Sequence, residues 1–203
     1  MMRAKYNRKT SPKVIGGLVQ RKNNHVKTAR LGYVVDRVRP AKGFTHVLTK
    51  KDIHDFVEII PDWCEISVGI ESIILDSGND DFDGLYEHFN REGTGIIWLS
   101  AWRREMWVEL NKSYFQAHHH YFKCIGVVCE EKEESWLCYF TQAQAKAFML
   151  MHVFLHELGH HVDRLRSKNQ KVMNGGEEFA EKYAKRRFDE LWPRYVEQFG
   201  LVR

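Results

Sequence analysis

The sequence predicts an α+β fold, a small mixed β-sheet packed on one long helix, with a second helix near the C-terminus. Three observations carry that expectation. Short β-prone runs bounded by turn residues recur between residues 32 and 140. From residue 142 onward, apolar residues return at three- and four-residue intervals, the period of a helix with one buried face. A chain of 203 residues suits one compact domain with an extension better than two domains.

Residues 32–38 read as a first strand, closed by Arg39-Pro40 and Lys42-Gly43. Thr49 is placed to cap a helix in which Ile53, Phe56, Val57 and Ile60 share a face, and Pro61 stops it. Residues 64–75 read as β-rich, 76–84 as a loop, and 85–89 with 95–99 as strands about a turn at 90–93. Trp102, Met106, Leu110 and Tyr114 recur every four positions and predict a helix over 102–117. Residues 121–129 and 135–140 predict a hairpin joined by the charged run 130–134. That hairpin leads directly into Thr141 and Gln144, spaced as a capping box that opens the long helix. A last helix is expected from Glu177 to Leu191, ended by Pro193.

Charge divides the chain. Residues 1–35 hold nine basic side chains and no acid, leaving a formal charge of −5 on residues 36–203. The first segment is expected to be a basic extension, solvated or folded back on the acidic body, or else an arm for nucleic acid or another acidic surface. The folded domain is expected over residues 36–203. No apolar run approaches the ~20 residues of a membrane span. Val14, Ile15, Leu18 and Val19 form a patch too short for a signal-peptide core, so cytoplasmic residence is the expectation. Cys64, Cys124, Cys129 and Cys138 contain no CxxC pair and are expected to be structural thiols.

The long helix contains His156-Glu157-Leu158-Gly159-His160, the HExxH pattern. Its two histidines stand one turn apart on the same face, where both imidazoles can reach one metal ion with Glu157 alongside. Zinc suits imidazole ligands, and a catalytic zinc needs only three protein ligands, which leaves a position for water. Ala147, Met151, Phe154, Leu158, Val162 and Leu165 fall on the opposite side, so one face packs while the other presents ligands. Gly159 is costly inside a helix and suggests that another backbone comes close there. Glu177 is expected as the third ligand, with Glu181 one turn later accepting a hydrogen bond from a ligating imidazole. Adjacent Glu178 points elsewhere, because residues next to each other on a helix diverge by about 100°.

HExxH followed by a glutamate on a second helix resembles the gluzincin metallopeptidases. The strings HELGHHVD and EEFAEKYA are most similar to the anthrax lethal-factor-like branch, and the run HVFLHELGHHVDR to small uncharacterised bacterial zincin-like proteins. The resemblance covers about residues 141–190. It implies a zincin-like fold, one Zn2+ per chain on His156, His160 and Glu177, Glu157 as general base, Glu181 behind the ligands and Asp163 as a conformational support. That branch carries a tyrosine upstream of its third ligand to stabilise the oxyanion, and residues 166–176 contain none. Candidates for that role here are His161, Tyr183, Tyr139 and the triplet His118-His119-His120.

The expected activity is zinc-dependent hydrolysis of a peptide or protein substrate. Glu157 takes a proton from water and returns it to the leaving amine, while an edge strand from the hairpin before the long helix binds the extended substrate. The alternative, from another class, is a non-catalytic zinc-binding module that docks on nucleic acid or another acidic partner through residues 1–35.

Overall fold

The computed structural model describes residues 14–15, 18–19, 32–78, 83–89, 94–166 and 175–200. Two short strands, β1 (Val14–Ile15) and β2 (Leu18–Val19), pair antiparallel. The rest of the basic extension as far as residue 31 lies outside the described residues.

β3 (Val34–Arg37) opens the body, with Tyr33 and Val35 already in the core. β4 (Phe44–Thr45) follows, and then α1 (Lys50–Glu58). Thr49 and Asp52 cap α1 reciprocally, each side chain bonding the other's backbone N–H. A short helix, α2 (Trp63–Ile66), completes the crossover to β5 (Ile70–Leu75), which lies parallel to β3 as such a crossover requires. β6 (Gly84–Phe89) and β7 (Thr94–Leu99) complete a four-stranded sheet in the order β3-β5-β7-β6. β5 and β7 are parallel, and β6 runs antiparallel at the edge.

The stretch expected as a helix over 102–117 is built differently. β8 (Trp102–Arg103) pairs with β4, a tight turn puts Met106 at φ 57°, and β9 (Trp107–Asn111) follows before α3 (Lys112–Ile125) begins. A four-residue repeat is also a multiple of the two-residue strand period, and Val108 and Leu110 pack against the core as one face of β9, with Met106 packing from the turn before it. Asn111 then accepts the Tyr114 N–H at 2.7 Å and caps α3. The expected strand from residue 121 is in fact the last part of α3, which Gly126 ends in the left-handed conformation at φ 79°.

β10 (Val128–Glu131) and β11 (Ser135–Tyr139) do form a hairpin, but it joins β9 in a separate three-stranded sheet. Cys129 and Cys138 stand opposite each other across it and are joined as a disulfide, which corrects the expectation of four thiols; Cys64 and Cys124 are free.

The capping box at Thr141 and Gln144 starts α4 (Gln142–Phe148). A π-helical segment, Met149–Phe154, links it to α5 (Leu155–Arg166). The last helix, α6 (Gly176–Phe199), passes through Pro193 instead of ending before it. Proline removes one intrahelical bond, yet the rings of Phe188, Trp192, Tyr195 and Phe199 stack successively along this helix. Phe188, Leu191 and Tyr195 are buried, so packing on both sides of the proline outweighs the lost bond.

α5 and α6 pack tightly at one point. A Cβ on Gly159 would lie 2.8 Å from the Cα of Ala180, too close for any side chain. In an exposed helix, Gly→Ala gains about 1 kcal/mol from propensity alone. Here Gly159→Ala is expected to lower stability by about 1–3 kcal/mol through overpacking, as measured by urea denaturation. A gain in stability would show that the two helices are not held at this distance.

Candidate metal centre

α5 carries His156, Glu157 and His160 on its cleft side, with the two imidazole centroids 4.8 Å apart. Because Gly159 lets α6 approach, the first turn of α6 brings Glu177 over both rings. Its Oε2 lies 3.1 Å from Nε2 of His156, and its Oε1 lies 3.4 Å from Nε2 of His160. One donor atom from each of the three residues lies within 4.8 Å of the others. Two ligands bound tetrahedrally at 2.0–2.1 Å from zinc stand about 3.3 Å apart, so both separations match the ion's demand.

The donor chemistry also fits a cation. His156 lies between two carboxylates, with Nδ1 3.3 Å from Oε2 of Glu181 and Nε2 facing Glu177. A carboxylate only accepts, so positive charge must sit on or beside this ring. Burial would lower the His156 pKa, but the Glu181, Glu157 and Glu177 carboxylates outweigh it and raise it. Burial and neighbouring His156 push His160 the other way, which favours the neutral ring that a metal requires. Nδ1 of His160 is enclosed without a partner.

Glu157 is buried against the edge strand. A Cβ on Gly84 would lie 2.5 Å from a methyl of Val153 and 2.9 Å from Oε1 of Glu157, so a side chain there would have to displace both. The backbone N–H of Tyr86 donates to that carboxylate. Burial nevertheless raises the Glu157 pKa to about 7, which makes it able to take and return a proton near neutrality. Glu178 turns outward and pairs with Lys182.

Asp163 accepts the N–H groups of Gly175 and Gly176 at 2.7 and 3.0 Å and so fixes the start of α6, one residue before Glu177. Glu181 also receives the Tyr121 hydroxyl, on Oε1 at 3.3 Å.

A cleft of about 390 Å³ opens beside these groups, lined by His156, Glu157, Glu177 and Glu181 and further by Gly84, Tyr114, His118 and His152. The expected electrophile candidates are spread apart. His161 is wholly buried, donates from Nε2 to the Val68 carbonyl at 3.1 Å and accepts the Tyr86 hydroxyl on Nδ1 at 2.9 Å. Tyr86 in turn accepts from Nε of Arg164 at 2.7 Å. This chain ties β6 to α5 and leaves both His161 nitrogens engaged. Tyr183 is buried with the Arg187 guanidinium over its ring, and Tyr139 hydrogen-bonds Glu130 on the hairpin.

The histidine triplet diverges as helical geometry dictates. His118 enters the cleft, His119 is exposed, and His120 bonds Asp189. Gly84, Tyr114 and His152 were not singled out by sequence. His152 had a signal, since it precedes His156 by the same four residues that separate His156 from His160.

Two measurements check this geometry. At the His156–His160 centre, Glu177→Gln is expected to weaken zinc binding strongly and Glu181→Gln by about 10- to 100-fold, with Glu178→Gln near wild type, by chelator competition; a larger loss at 178 than at 177 would reassign the ligand. Burial holds His161 near a pKa of about 4, against ~6.5 in an unfolded chain. The unfolded state therefore binds more protons between those values, and the His161 contribution to stability is full above pH 6.5 and shrinks as pH falls toward 4. His161→Gln should flatten metal-free stability across that window, and an unchanged slope would place the titration elsewhere.

Comparison of the chain with protein-family models, curated proteins and solved structures finds no match.

Proposed function

We propose that this chain is a zinc-dependent peptidase of zincin-like fold. The observation that carries the reading is the position of Glu157, a buried carboxylate beside a three-residue donor set and against an edge strand. A structural zinc site needs no base of this kind, whereas hydrolysis does. His156, His160 and Glu177 hold the ion. When bound, zinc supplies Lewis acidity, which makes water acidic near neutral pH and polarises a carbonyl.

Glu157 takes the proton of the attacking water and delivers it to the amine that leaves. Its burial keeps the proton affinity high enough for the first transfer and low enough for the second. Glu181 orients His156 through Nδ1. The edge strand expected from the hairpin falls instead to β6: it pairs with β7 on one side, no described strand covers the other, and Gly84 borders the cleft. An extended peptide adding to that edge through main-chain hydrogen bonds would lie beside Glu157 and Glu177 in the same cleft.

Glu157→Gln keeps the shape of the site and removes the base. It is expected to bind zinc like wild type while cleavage of a mixed peptide library, read by mass spectrometry, falls by about 100- to 10,000-fold. Cleavage at the wild-type rate by this variant would remove Glu157 from the chemistry.

A further inference from the structure

We propose that His118, His152 and Glu181 form a second transition-metal site in the wall of the same cleft, taking a divalent ion of the zinc class. The three residues come from α3, the π-helical segment and α6, and one donor atom of each lies within 4.8 Å of the others.

His118 supplies the first argument. Its Nδ1 lies 2.7 Å from the Tyr114 carbonyl oxygen. A carbonyl only accepts, so Nδ1 carries the hydrogen, and in the neutral ring Nε2 presents a lone pair. That lone pair faces Oε2 of Glu181 at 3.8 Å. Two acceptors confront each other at a distance too long for a hydrogen bond. Two ligands bound tetrahedrally to zinc stand about 3.3 Å apart, so an ion would draw this pair only about half an ångström closer. The Nδ1–carbonyl bond is also the arrangement that orients imidazoles on metals.

His152 supplies the second. It is 4% exposed, lines the cleft, and has an enclosed Nδ1 without a hydrogen-bond partner. A buried polar atom left unpaired is costly, and a ligand that engages it relieves that cost. The helix is also modified here. π-helical turns are rare and concentrate at functional sites, and this one includes His152. One inserted residue turns the preceding helix by about 100° relative to α5.

The donor set fixes the class of ligand. Two imidazoles and one carboxylate suit zinc, cobalt, nickel or copper, while calcium and magnesium prefer all-oxygen sites. Glu181 links the two centres, since the Oε2 that faces His118 also faces Nδ1 of His156. This site stands on its own residues and does not need the peptidase reading to hold.

The test counts zinc bound by the full chain after dialysis against limiting chelator, together with the visible spectrum of the cobalt-substituted protein. Wild type should bind two ions, His118→Ala and His118→Gln one each, and His160→Ala one. Two ions retained in both His118 variants, or a single wild-type ion lost in His160→Ala and kept in His118→Ala, would overturn the second site. A single wild-type ion lost in His118→Ala but kept in His160→Ala would uphold it and overturn the His156–His160–Glu177 centre. Should the His118 variants fail to fold by circular dichroism, anomalous diffraction at the zinc edge from wild-type crystals decides. A peak between His118 and Glu181 upholds the site, and a peak at Glu177 alone overturns it.

Discussion

Ala180 occupies the space that the missing side chain of Gly159 leaves open, and this contact sets how near α6 comes to α5. The histidines of HExxH need only their own helix to face the same way. Glu177 belongs to another helix, separated in sequence by residues 167–175, so its meeting with the two imidazoles depends on interhelical distance. A second contact fixes where α6 starts, because Asp163 on α5 accepts the N–H groups of Gly175 and Gly176. One contact sets separation and the other sets register along the axis. Together they convert a local five-residue pattern into a three-residue centre.

Two glutamates close to that centre are driven in opposite directions by their surroundings. Glu157 is raised to about 7 by burial. Burial acts on Glu181 in the same sense, yet the rings of His156, His152 and His118 outweigh it and bring its pKa down to about 2. One carboxyl thus exchanges protons near neutrality while the other remains a fixed negative charge. Divergent environments of this kind separate a base from an orienting group.

Local chemistry was the legible part of this fold. The helix cap at Thr49, the capping box at Thr141–Gln144, the apolar face of the long helix and the close approach at Gly159 could be read from the sequence because each depends on near neighbours or on one repeating period. The helix expected over 102–117 failed because a repeat of four satisfies a strand as well as a helix, and only pairing of β9 with β11 decides between them. The joining of the hairpin to β9 instead of the larger sheet was likewise a choice between distant partners. At the site, residues on α5 and α6 carried a recognisable pattern. Gly84, Tyr86 and Tyr114 come from far along the chain, and their roles arise from position alone.

The three donors of the HExxH centre differ in how firmly they are anchored. The side chain of His160 is 8% exposed and that of His156 19%, whereas Glu177 is 83% exposed. The imidazoles are held by packing, and the carboxylate is held at its backbone end. An ion shared among them would therefore enter and leave by the Glu177 side, with the two histidines as a standing pair and the glutamate as the gate.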